Sequence, residues 1–221
     1  MPTPLPQPGF RSQLRLRGIT TTSIFRTMQE AFVREHGAAV TGSVVELGGE
    51  LHYRHRDLFP EASAFIVTNI GRDCDRHLDL TAMDLPDASQ DAYLCTSVLE
   101  HVDDIGTAIS EIARTLRPGG ILILTIPFLY PIHDTHDSWR VARDGFPALL
   151  GDDLEIETFD HLGGRVSVMV ALCQRPVQRW ERRDLPYKIL AALLVLLLGR
   201  FDRIDDAPLG YGLVVRRRAH P

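Results

Sequence analysis

Apolar residues follow two rhythms along this chain. In TTSIFRTMQEAFVREH, residues 21–36, Ile24, Met28 and Phe32 recur every fourth position and Gly37 follows. That spacing predicts an amphipathic helix with a glycine stop, a lid or packing helix ahead of the core. From residue 43 the rhythm changes. SVVEL (43–47), AFIVT (64–68), AYLCT (92–96) and ILILTIP (121–127) are short, nearly continuous apolar runs, as strands need when a parallel sheet is covered on both faces. Between the last two, Ile105, Ile109, Ile112 and Leu116 mark one face of a helix that Pro118, Gly119 and Gly120 are expected to end. LEIETF (154–159) and GYGLVVRRR (210–218) add two strand candidates, with a helical VSVMVALC and a Leu-rich run between them. Strands alternating with helices predict an α/β, doubly wound architecture. No internal repeat or linker marks a second domain, so residues 21–221 are read as one domain behind a flexible Pro-rich tail at 1–20.

The Leu-rich run ILAALLVLLL, 189–198, lies between Lys188 and Arg200. It is shorter than the roughly 20 apolar residues of a bilayer span. The expectation is a helix buried in the core or in a homodimer contact. In-plane membrane contact is the alternative, although the run lacks the charged opposite face of interfacial helices.

Composition narrows the picture. With 221 residues, 44% of them hydrophobic, the chain can bury one core, and a net charge of -5 gives no reason to expect nucleic acid as partner. Cys74, Cys95 and Cys173 are widely spaced, with no CxxC pair and no secretory signal ahead of them. Reduced thiols and a cytoplasmic location are expected.

In an open α/β sheet, ligands bind beyond the carboxyl ends of the strands, so the residues just after each strand carry the chemistry. In order these are Glu46 with Gly48 and Gly49, then Asn69, then Asp79 and Leu80, then Glu100 and His101, then PFLYPIHDTHDSWR. The ordered series ELGG, DLTAMDLPDASQDAYL, SVLEHV and EIARTLRPGGILILTIP resembles the class I S-adenosylmethionine-dependent methyltransferases, in particular the type 11-like branch. The resemblance implies a Rossmann-like, mostly parallel seven-stranded sheet and S-adenosylmethionine as cofactor. It further implies that Glu46, Gly48, Gly49, Asn69, Asp79, Leu80 and Glu100 contact that cofactor, with Glu46 accepting from the methionine ammonium and a following helix offering N–H groups to the carboxylate. Two positions depart from the family pattern. Glu50 stands where a second glycine is usual, and Asn69 replaces the acid that commonly holds the ribose hydroxyls. A dinucleotide-binding oxidoreductase fits less well, since no G-x-G-x-x-G follows any strand.

The stretch after the fifth strand resembles methyltransferases of bacterial polysaccharide and glycan modification, which implies a sugar hydroxyl, or that of a sugar-bearing small molecule, as acceptor. An alcohol must lose its proton as it is methylated, a task suited to imidazole near neutral pH. His133, His136 and His101 are therefore the base candidates, with Trp139 as a platform for the acceptor and Arg140 as its anchor. HDTHD offers nitrogen and oxygen donors, but its spacing matches no dedicated metal motif, and no metal is expected. A non-catalytic binding or scaffold protein on a degenerate methyltransferase fold is the reading from another class.

Overall fold

The computed structural model describes residues 5, 23–71, 73–173, 185–198, 201–202 and 206–219. Apart from Leu5, the proline-rich segment lies outside them. Seven strands form one sheet: β1 (Gly42–Leu47), β2 (Ala62–Asn69), β3 (Arg76–His77), β4 (Gln90–Thr96), β5 (Leu116–Pro127), β6 (Leu154–Leu162) and β7 (Gly210–Arg217), ordered β3-β2-β1-β4-β5-β7-β6. β7 runs antiparallel to both β5 and β6, and the other pairs are parallel.

Side chains on successive strand residues point to opposite faces, and the core divides accordingly. Val45, Tyr93, Cys95, Leu122 and Leu124 pack with α2 (Ile105–Thr115) and α3 (Phe146–Leu150) on one face. Val44, Ala92, Leu94 and Ile123 pack on the other with α1 (Ile24–Gly37), α4 (Arg165–Cys173) and Ala191 of α5 (Leu185–Leu198). The expected doubly wound sheet is thus present.

α1 begins where the Ser23 hydroxyl accepts from the Arg26 N–H, and it buries Ile24, Met28 and Phe32. It packs on the sheet, and it also sends Gln29 across to the carboxyl ends of the strands, where Nε2 donates to Ser97 Oγ and Thr125 Oγ1.

Three expectations need correction. The helix before β5 ends at Thr115, and the RPGG run opens β5 instead of capping the helix. Register explains this: Gln90 pairs with Leu116 but Ala92 with Ile121, so Arg117–Gly120 bulge out of the ladder. A Cβ on Gly120 would sit 2.8 Å from Arg117 O, a contact only glycine permits. Second, no α-helix follows β1. Two short 3-10 turns, Leu51–Tyr53 and His55–Leu58, fill the connection, joined by Arg54 in a left-handed conformation at φ 56°. The stretch His52 to Asp57, HYRHRD, lacks the apolar repeat that would anchor a helix on the sheet.

The third concerns α5, expected in the core or in a homodimer contact: the core alternative fails for most of its described side chains, which leaves the homodimer contact as the expectation. Ala191 is buried, whereas Ile189, Leu190, Leu193 and Leu197 are exposed, as are Met169 and Leu172 on the neighbouring α4. α5 packs against α4, and among its described side chains Ala191 and Leu194 meet the core. Among the described residues, no helix is long and apolar enough to cross a membrane.

Candidate active site at the carboxyl edge of the sheet

β1 pairs with β2 on one side and β4 on the other. Chain order reverses there, which makes the gap between the ends of β1 and β4 the switch point. Two groups of residues flank it.

The first follows β1 and β2. Glu46 is buried, and its Oε1 lies 2.5 Å from Nδ1 of the buried His55. Gly48 has φ +66°, and a Cβ there would lie 2.6 Å from Val98 Cγ1; a Cβ on Gly49 would lie 2.4 Å from Glu46 Cδ. Both glycines are therefore required by the chain's own packing. The Gly49 N–H donates to Thr68 O at 2.9 Å. Asn69 closes the group, donating from Nδ2 to Gly49 O at 3.0 Å and accepting at Oδ1 from the Gly71 N–H at 3.2 Å. Glu50 lies 3.3 Å from His52 Nδ1. Beyond β3, Asp79 is exposed, its Oδ1 accepting from the Thr81 N–H and hydroxyl, and these bonds hold its pKa below the ordinary carboxylate range. Leu80 beside it is buried.

The second group follows β4 and β5. Ser97 leaves β4 at φ 52°, a strained value for a non-glycine residue, and a 3-10 turn, Leu99–His101, follows. Glu100 on that turn is 0% exposed, and neither carboxylate oxygen is held in a hydrogen bond. Burial pushes its pKa up to about 8; its own backbone N–H opposes the rise, the charge of Asp137 adds to it, and Arg140 and the Ser97 hydroxyl oppose it.

The loop after β5 folds back onto this turn. Ser138 N–H donates to Glu100 O at 2.8 Å, and Trp139 Nε1 donates to Val102 O at 2.8 Å. His101 Nδ1 donates to the His136 carbonyl, which leaves Nε2 as the nitrogen with a free lone pair. That Nε2 and the Nε2 of His133 each stand 3.8 Å from Glu100 Oε1. His133 Nδ1 lies 3.2 Å from Asp137 Oδ2, a carboxylate gripped in turn by both terminal nitrogens of Arg140. Burial lowers the His133 pKa although Asp137 opposes the shift. Burial alone would raise the Asp137 pKa, and the Arg140 guanidinium overrides it to hold the group ionised.

Of the residues singled out in the sequence, Glu100, His101 and His133 meet in one cluster. His136 is exposed and contributes its backbone carbonyl, Arg140 is engaged by Asp137, and Trp139 is 38% exposed with its N–H occupied.

The strand order, with its antiparallel seventh strand inserted between the fifth and sixth, now stands beside a direct sequence match. Residues 37–124 match the family described as methyltransferase domain. This part of the chain is similar to the methyltransferase domain family, and the fold is one that solved methyltransferases share. A probable S-adenosylmethionine-dependent methyltransferase of Mycolicibacterium smegmatis is 42% identical over 52 residues, 24% of this chain and 20% of that protein, so the match spans about a fifth of the relative's length. Solved methyltransferase structures share the fold. A putative sarcosine dimethylglycine methyltransferase from Galdieria sulphuraria superposes with TM-score 0.59 at 14% identity, covering 96% of this chain and 94% of that one. Geranyl diphosphate C-methyltransferase from Streptomyces coelicolor gives TM-score 0.55 at 12% identity over 88% of this chain and 81% of that one. The cyclase SpnF gives 0.57 at 17% identity over 88% and 82%.

At this site, three side chains escaped the sequence reading. His55 and Gln29 carry no motif signal, because each finds its partner only in the folded chain. Ser97 could have been suspected from its place between a strand and the EHV triplet, whereas Asp137 was already among the donors of HDTHD.

Proposed function

We propose that the chain transfers a methyl group to a hydroxyl of a sugar, glycan or sugar-bearing small molecule, working in the cytoplasm. The observation that carries this reading is the pairing of two imidazole Nε2 atoms around Glu100 at the switch-point edge. When bound, S-adenosylmethionine supplies a sulfonium methyl carbon, to which the acceptor oxygen bonds as the C–S bond breaks onto sulfur. Glu46, Gly48 and Gly49 would hold its methionine end, Asn69 its ribose, and Asp79 with Leu80 its adenine. The donor set fits that group: a buried carboxylate for an ammonium, an amide for hydroxyls, an exposed carboxylate beside a buried apolar side chain for the base.

His133 is the base in this reading. Its lowered pKa keeps the imidazole neutral at pH 7, so Nε2 can take the hydroxyl proton. Asp137 orients the ring, and Arg140 positions Asp137. The half-exposed indole of Trp139, fixed through its N–H, offers a flat surface to a sugar ring. Methyl-labelled S-adenosylmethionine with a panel of sugar acceptors tests the proposal. His133→Asn should cost about 10²-fold in rate with cofactor affinity retained, and full activity in that variant removes His133 from the mechanism.

A second reading, a binding protein that has kept the fold without turnover, draws support from Glu46 and Asn69 already having partners within the chain. An unchanged melting temperature with saturating S-adenosylmethionine and S-adenosylhomocysteine would favour it.

A further inference from the structure

We propose that Glu100, His101 and His133 form a binding site for one divalent transition-metal cation, of the zinc, cobalt or manganese type. The role suggested for it below rests on the O-methylation reading, whereas the site itself rests on these residues alone.

A carboxylate and two imidazoles place ligand atoms within 4.8 Å of one another, with each histidine Nε2 3.8 Å from Glu100 Oε1. Metal–ligand bonds of about 2.0–2.2 Å in tetrahedral geometry separate ligand atoms by roughly 3.4 Å. Small side-chain rotations close the difference. Glu100 is fully buried, and both its oxygens lack hydrogen bonds. A folded protein rarely leaves a buried carboxyl in that state without a ligand to answer it.

The outer contacts point the same way. Histidines that bind metals characteristically offer one nitrogen to the ion and the other to a carbonyl or carboxylate that fixes ring and tautomer. His101 donates from Nδ1 to the His136 carbonyl. His133 sets Nδ1 3.2 Å from the Asp137 carboxylate, itself held by Arg140. In both rings Nε2 is the nitrogen turned to Glu100. Two imidazoles with one carboxylate suit borderline transition ions, while magnesium and calcium ask for oxygen ligands. The ligands come from two loops, β4's and β5's, so no local spacing in HDTHD discloses the set.

Three protein ligands leave a coordination position open, the arrangement of catalytic sites. An acceptor hydroxyl bound there would have its pKa lowered and lose its proton to solvent before attacking the methyl carbon. In the loaded protein His133 is a ligand, and in the cation-free protein it is the base.

The test uses the purified chain stripped with EDTA and titrated with cobalt chloride, read by visible absorption and by calorimetry, with magnesium chloride alongside. One equivalent of Co²⁺ should bind, with d–d absorption bands and at least tenfold preference over Mg²⁺. Glu100→Gln, close in shape to the native side chain, and His133→Gln should each weaken binding 100-fold or more. Asp137→Asn should lose about 10- to 100-fold, and His136→Gln should bind as wild type because only its carbonyl is used. Circular dichroism melts establish that each variant is folded. Absence of Co²⁺ binding by the folded wild type, or binding unaffected by Glu100→Gln and His133→Gln, overturns the site whatever the cofactor result. Stoichiometric binding without any metal dependence of sugar methylation keeps the site and overturns its role.

Discussion

The two sides of the switch point treat their polar atoms in opposite ways. On the β1–β2 side, Glu46 is met by His55, Thr68 donates to Glu46 O, and Asn69 uses both ends of its amide on the backbone of the Gly49–Gly71 region. On the β4–β5 side, Glu100 is equally buried and has no hydrogen-bond partner for either oxygen. Two buried glutamates thus sit on adjacent strand ends, one satisfied by the chain and one left open. A satisfied group holds a loop in shape, and an open one stores a cost that a ligand can relieve. In the function proposed above, the first side is a preformed support for the cofactor and the second the reacting edge.

The same substitution at the two glutamates should break this comparison most visibly. Glu46→Met removes the partner of a buried histidine and is expected to cost about 3 kcal/mol, while Glu100→Met removes an unanswered carboxyl and is expected to raise stability by about 1–2 kcal/mol. Chemical denaturation of both variants checks the opposite signs. Equal destabilisation would mean that Glu100 has a structural partner after all.

A smaller effect is expected at Gly48. Gly48→Ala places a Cβ against Val98 at a left-handed φ, and a loss of about 1–3 kcal/mol should follow. Adding Val98→Ala should recover the steric part and leave the backbone strain. This moves the demand for glycine from the cofactor to the protein's own packing, so lost cofactor binding in a Gly48→Val variant would not by itself locate the ligand.

His55→Gln addresses the support directly. If His55 fixes the Glu46 carboxylate for the methionine ammonium, S-adenosylmethionine affinity should drop about tenfold, or 1.4 kcal/mol, measured by calorimetry on the folded variant. The smallest effect belongs to the margin of the domain. Leu193→Gln should change stability by no more than about 0.5 kcal/mol, because the side chain is already 46% exposed.

Much of the fold was legible because the strands are apolar on both faces, and their short β-branched runs stand out against helices of period four. β3 was not, since two residues, Arg76 and His77, form a strand only by pairing with Thr68 and Asn69. The helix expected after β1 failed for a related reason: the glycine loop suggested one, but the residues following it carry no apolar face to hold it down. At the site, Glu100, His101 and His133 were each visible as strand-end residues. Their grouping was not, because it depends on the loop after β5 folding back to bring the His136 carbonyl onto His101 and the Ser138 N–H onto Glu100 O. The buried Glu46–His55 contact was invisible for want of any motif linking residues nine apart.

In the proposed function, cofactor support and reacting edge are separate groups of residues. Calorimetric titration of S-adenosylmethionine into the wild type, Glu46→Gln and Glu100→Gln tests this separation without knowledge of the acceptor. The expected result is binding by the wild type, at least tenfold weaker binding by Glu46→Gln, and an affinity within about twofold of wild type for Glu100→Gln. Failure of the wild type to bind, or a loss in Glu100→Gln as large as that in Glu46→Gln, would contradict that separation.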